Sequence, residues 1–166
     1  IEGEGFFQVL RPDGTSAYTR DGTMTMSDTG TLVTGGGYLL QPGFTVPPEA
    51  TELSVSPTGV VSALLGSDTA PVEIGRIELA RFVNPTGLLS LGENLYAQTA
   101  ASGEPMTGSP QDGGFGRVIQ GALESSNVEI VQEMVDMISS QRAYEVNAKA
   151  IQAAEAMIET ANGLLR

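Results

Sequence analysis

The chain has 166 residues, with 8 basic against 20 acidic side chains, a formal charge of −12 and no Cys, His or Trp. That balance argues against nucleic acid and anionic membrane surfaces, which need clustered Lys and Arg; without Cys and His there is no thiol or imidazole chemistry and no Cys/His zinc site. A hydrophobic content of 40% and an aromatic content of 5%, with Gly 21 and Pro 9, predict a turn-rich chain of one domain with an extension, or of two small domains.

No apolar run approaches the ~18 residues of a membrane-spanning helix. The first residue is Ile1 rather than Met. The sequence therefore reads as a processed product or a piece, and any N-terminal targeting or helical segment would lie upstream.

Residues 1–99 read as a β-rich outer domain. Gly5–Leu10 is a strand, and Arg11-Pro12-Asp13-Gly14 is a turn in which Pro presets φ and Gly accepts a positive one. Ser16–Thr19 returns, Arg20-Asp21-Gly22 turns again, and Thr23–Met26 alternates with period two. A turn phrase then recurs three times, as Ser27-Asp28-Thr29-Gly30, Ser56-Pro57-Thr58-Gly59 and Asn84-Pro85-Thr86-Gly87, each leading into a short run that carries apolar residues. These predict strand-entry or hairpin turns. Tyr38–Leu40, Leu53–Val55 and the alternation Val72–Leu79 are the intervening strands. In the last of these the apolar face switches near Gly75, which predicts a bulge.

Residues 100–116 have the Gly, Pro and Ser content of an exposed linker. Residues 117–166 read as a short strand or turn followed by a long helix, from about Asn127 to Asn162. Ser126-Asn127-Val128-Glu129 fits a capping box, and Gly163 suits the left-handed residue beyond the helix end. The predicted fold class is thus mainly β with a long C-terminal α-helix of coiled-coil character.

The helix carries an apolar residue at every seventh position: Ile130, Met137, Tyr144, Ile151, Ile158 and Leu165. At ~1.5 Å per residue it is roughly 50 Å long, and its narrow seam asks for partner helices. Small and polar residues dominate the flanking positions, which are Met134, Gln141, Ala148, Glu155 and Asn162 on one side, and Glu133, Ser140, Asn147, Ala154 and Ala161 on the other. With Ile138, the residues expected to carry assembly are Ile130, Met134, Met137, Ile138, Tyr144, Ala148, Ile151, Ala154, Ile158, Ala161 and Leu165. Ser126, Asn127 and Glu129 are the expected cap. A seam this small and polar fits a wall of several helices better than a two-stranded zipper.

Chemistry finds little support. Asp28-Thr29-Gly30 has the form of an aspartic-protease triplet, but the sister phrases place Pro57 and Pro85 where Asp28 stands, so the position serves the turn. Gly35-Gly36-Gly37 has no helix and no lysine beside it to cradle a phosphate. No carboxylate pair is singled out by spacing, and Asp13, Asp21 and Asp28 sit in separate turns rather than in one calcium loop. No catalytic, cofactor or metal residue is expected, and no small-molecule substrate.

Several runs are familiar as a set. Ala122–Val128, Met134–Ile138 and Gln141–Lys149 resemble the C-terminal signature of the bacterial flagellar rod and hook proteins. Gly3–Val9, Tyr18–Gly22, Gly30–Thr34 and Gly92–Tyr96 resemble the start and end of that family's β domain. The short β region and Ala143–Ile151 are most similar to the distal-rod branch, with hook and proximal rod as alternatives. The resemblance implies a non-enzymatic subunit that self-associates into a helical tube. Terminal helices would form its inner wall and β domains its shell, transmitting torque and enclosing an export channel. It implies other rod and hook proteins and surrounding bushing rings as partners. It also implies a basal-body location in the periplasm-spanning rod, export without a cleaved signal peptide, and an N-terminal helical segment upstream of Ile1. Two readings of other classes stand beside it: a hydrolase using Asp28, and a secreted binding module whose coiled coil sets its valency.

Overall fold

Alternation decides the first strand. In β1 (Phe6–Leu10) Phe7 and Val9 are buried, while Phe6, Gln8 and Leu10 are only partly so. The computed structural model describes residues 1–66 and 70–164, and the side chains of the C-terminal helix as far as Ile158. The chain divides into two units, Ile1–Glu124 and Ser125–Arg166. The first is built from β-strands with one 3-10 turn and the second carries the single long helix, in keeping with the mainly β fold with a long C-terminal helix read from the sequence.

β1 is followed by β2 (Ser16–Thr19), β3 (Met24–Met26), β4 (Leu32–Thr34) and β5 (Leu39–Gln41). A three-stranded antiparallel sheet then forms from β6 (Ala50–Val55), β7 (Val60–Leu65) and β8 (Val72–Arg76). The chain returns to the first sheet with β9 (Leu79–Arg81), β10 (Leu89–Gly92), β11 (Leu95–Ala97) and β12 (Met106–Gly108). In that larger sheet the order is β10-β11-β2-β1-β5-β4-β3, with β9 pairing both β1 and β12. The alternation Val72–Leu79 is therefore not one strand. Its register shifts where Val61 faces Gly75 and Ser62 faces Glu73, so Ile74 is the bulged residue, and past Arg76 the chain changes sheets.

The two sheets share one core. Val9, Ala17, Leu40, Leu79 and Leu95 of the larger sheet join Val61 of the smaller one, with Ile77 and Val118 from the segments between and beyond. Burying a side chain of Leu size contributes about 1.5–3 kcal/mol. A second cluster lies around Tyr18, Ala80 and Phe82, where Tyr18 and Phe82 meet edge-to-face at 4.8 Å and Phe6 meets Phe82 at 6.0 Å.

The first two Thr-Gly phrases form the same turn. Gly30 and Gly59 have φ of 77° and 81°, and their N–H groups donate to Ser27 and Ser56. Each glycine carbonyl then accepts a hydrogen bond from a third segment, Val46 N–H onto Gly30 and Ile77 N–H onto Gly59, both at 2.7 Å. A Cβ at Gly59 would lie 2.5 Å from Ile77 O, so the turn has no room for one. The third phrase differs: Pro85–Gly87 is a 3-10 turn.

Residues 100–116 are a correction to the predicted linker. Ser102 is 1% exposed, and its hydroxyl and its N–H both bond to Thr99. β12 pairs with β9, Gly116 N–H donates to Glu4 O at 2.7 Å, and Glu2 bridges to Arg117. Glycine here permits close approach of backbones rather than flexibility: a Cβ at Gly116 would meet Glu2 O at 2.5 Å. The β unit accordingly runs to Glu124, not to residue 99.

Candidate assembly interface

The helix, α1 (Ile130–Leu164), begins three residues later than the capping box predicted. Its first intrahelical bond runs from Glu133 N–H to Glu129 O at 3.1 Å. Ser126 Oγ accepts from Val128 N–H at 3.2 Å, a local turn two residues long, rather than from Glu129 as a cap would. Ser126 and Asn127 thus lie in the approach to the helix, and Glu129 stands at its threshold. Gly163 falls inside the helix rather than beyond it.

The predicted assembly residues stand on that helix as an exposed series. Ile130 is 73% exposed, Met137 62%, Tyr144 77%, Ile151 61% and Ile158 62%. Met134 and Ile138 are exposed beside them, as is Ala154, and Ala148 is half-buried. Ala161 as a side chain, and Leu165 altogether, lie outside the described residues. A straight helix turns ~100° per residue, so a sevenfold series drifts by about 20° per heptad and winds as a left-handed seam. Five large apolar side chains stand in water along this seam, with Met134 and Ile138 exposed beside them.

The segment leading toward this helix is held firmly within the β unit. Arg20 makes a forked bond to Glu124, with Nε at 3.0 Å and Nη2 at 2.8 Å from Oε2, while its guanidinium also donates to the carbonyls of Gly3 and Gly5 and lies over the Phe6 ring. Arg117 pairs with Glu2 at 2.6 Å. Between them, Gln120 lies along β6: its Nε2 donates to Leu53 O at 2.8 Å and its Oε1 accepts from Val55 N–H at 2.7 Å. The side-chain amide takes the place a neighbouring strand's peptide would occupy, so that edge of β6 is closed. No sequence pattern singles out Gln120; only its spatial partners do.

The chemical candidates are placed less usefully. Asp28 is exposed at the tip of the β3–β4 hairpin, where the turn hydrogen bonds run between Ser27, Gly30 and Thr31. Gly35 and Gly36 line a cleft of about 330 Å³ with Asp21, Tyr38 and Glu93. Both acids disfavour an anionic ligand there. Hydrogen bonds from the Thr23 hydroxyl and N–H hold the Asp21 carboxyl below the usual carboxylate range. The Tyr38 hydroxyl donates to Glu93 at 2.9 Å, which pushes the phenol pKa up. This is a turn-bracing network joining β5 to the β10–β11 hairpin.

Comparison with known proteins gives two family matches. Residues 1–63 match the flagellar hook protein FlgE/F/G D1 domain, and residues 119–164 match the flagellar basal body rod FlgEFG protein C-terminal region. The chain is 47% identical over 168 aligned residues to the flagellar basal-body rod protein FlgG of Borreliella burgdorferi, covering 100% of this chain and 63% of that protein. It is 46% identical to FlgG of Buchnera aphidicola subsp. Baizongia pistaciae, over 96% of this chain and 61% of that protein. It is also 44% identical to the flagellar hook protein FlgE of Salmonella typhimurium, over 52% of this chain and 22% of the hook protein. The chain therefore spans a little under two thirds of the length of the rod proteins it matches.

Proposed function

This chain belongs to the flagellar hook and basal-body rod protein family, and from that premise we propose that it is the β domain and C-terminal helix of a distal-rod subunit. The subunit polymerises into a rigid tube in the basal body, transmits torque to the hook and encloses the export channel. Its role is structural and non-enzymatic. The observation that carries this reading is the sevenfold apolar series of α1, exposed from Ile130 to Ile158, on a chain similar to rod proteins along its whole length. The assembly residues, Ala161 and Leu165 among them, pack between neighbouring helices of the tube wall. Other rod and hook proteins are its axial neighbours. The surrounding bushing rings meet the β unit, where Arg11, Arg20, Arg76, Arg81 and Arg117 each already pair with a carboxylate, so that unpaired acids dominate the outer charge.

The rod reading is favoured over hook by coverage. Similarity to the two rod proteins above spans 100% and 96% of this chain, and similarity to the hook protein 52% of it. The test is electron microscopy of basal bodies from cells whose only copy of this gene is deleted and then restored. A short straight rod lost on deletion and regained on restoration supports the reading. Rods of normal length without the gene product overturn it, and curved tubes formed by the purified full-length protein would move it to the hook.

A further inference from the structure

The sevenfold seam leaves half of the helix's surface chemistry unexplained. Glu129, Glu133 and Asp136 recur at helical spacing along one side, and Arg142 and Lys149, seven residues apart, along another. Thirteen residues separate Glu129 from Arg142, and thirteen separate Asp136 from Lys149. On an α-helix that offset is ~20 Å along the axis and roughly 140° around it. The basic side has apolar neighbours of its own: Val131, Val135, Ile138 and Val146 are 70%, 50%, 48% and 64% exposed. Among the described residues no carboxylate pairs with Arg142 or Lys149, and Asp136 takes only a side-chain bond from Gln132 at 3.3 Å.

A two-stranded coil would use one face only. With the sevenfold residues at position a, Arg142 and Lys149 fall at f, turned away from a partner. We propose that each helix is contacted on two sides by parallel copies of itself displaced by thirteen residues. The acids Glu129, Glu133 and Asp136 of one copy then lie against Arg142 and Lys149 of the next. The occupant is a second copy of this chain because the two charge sets match in both spacing and sign. Such a contact is head-to-tail and, displaced along the axis, does not close on itself, so it propagates from copy to copy. The charges fix the stagger, and the apolar residues on both sides supply the adhesion. This inference rests on the tubular-polymer reading above.

These 166 residues contain no Cys, so with any cysteine elsewhere in the full-length subunit replaced by Ser the stagger is measurable. In the full-length subunit, expressed in its flagellated cell, Glu129→Cys with Arg142→Cys should cross-link on oxidation into a ladder of multiples of the subunit mass. Glu129→Cys with Lys149→Cys, offset by twenty residues, should give at least tenfold less. Assembled rods with equal ladders, with none, or with cross-links only to a different protein overturn the stagger. If the cysteine variants do not assemble, charge reversal decides: Glu129→Lys with Asp136→Lys should abolish rods, and adding Arg142→Glu with Lys149→Glu should restore them. Failure to restore overturns the proposal. An unmodified subunit that never enters the rod would instead overturn the functional reading, and this inference with it.

Discussion

The two units spend their apolar residues in opposite ways. In the β unit, Val9, Ala17, Leu79 and Ala63 are wholly buried, and each arginine has a carboxylate partner. On the helix, Ile130, Met137, Tyr144, Ile151 and Ile158 are all more than half exposed. One region is satisfied by its own fold; the other has helical geometry but no interior. Stability and assembly should therefore be separable by mutation.

The strongest separation comes from Ile151→Asp in the full-length subunit. Rods should be lost, counted by electron microscopy, while the thermal unfolding of the β unit, followed by its circular dichroism, changes by less than about 0.5 kcal/mol because the site is solvent-facing. Coupled loss of both would erase the distinction. The mirror experiment is Leu79→Ala, at a core position 0% exposed. It should cost about 2–5 kcal/mol in denaturant unfolding and leave the helical signal unchanged. Gln120→Leu removes both bonds to β6 and exposes two peptide groups. A loss of about 1–3 kcal/mol is expected, with faster amide exchange at Val55 than at Val61. The smallest effect is acid dependence. The Thr23 hydrogen bonds hold the Asp21 carboxyl below the ~3.9 of an unfolded chain. Its contribution is therefore present at neutral pH and lost as pH falls through the acidic range below that value. In Asp21→Asn, that acid-induced loss should shrink by less than about 1 kcal/mol, since the group is largely solvated.

How much of this was legible beforehand differs by region, for physical reasons. Local rules were enough for the hairpins, because Thr-Gly turns at Gly30 and Gly59 depend on backbone dihedrals that few residues adopt. The third phrase shared the letters but not the turn: Gly87 lacks the positive φ of Gly30 and Gly59 and lies against the Ala101–Ser102 backbone. The predicted linker failed because glycine signals either freedom or close packing, and at Gly116 it is packing against Glu2. Val72–Leu79 was legible as extended chain, but the change of sheet after Arg76 is a tertiary event. For the helix, the heptads stated its existence and seam. The start was placed early because Ser126 and Glu129 satisfy the letter of a capping box without its geometry. Gln120 could not have been foreseen, since its partners lie more than sixty residues away.

The drifting seam carries a mechanical consequence. Residues that recur every seven positions on a helix of ~3.6 per turn rotate steadily in one sense, so contacts that follow them must wind left-handedly. A wall built from such contacts is chiral under load. Twist applied with the winding draws the helices tighter together, and twist applied against it eases them apart. In the proposed tube, clockwise and counter-clockwise drive would then meet different torsional stiffness, with the difference set by the placing of Ile130, Met137, Tyr144, Ile151 and Ile158.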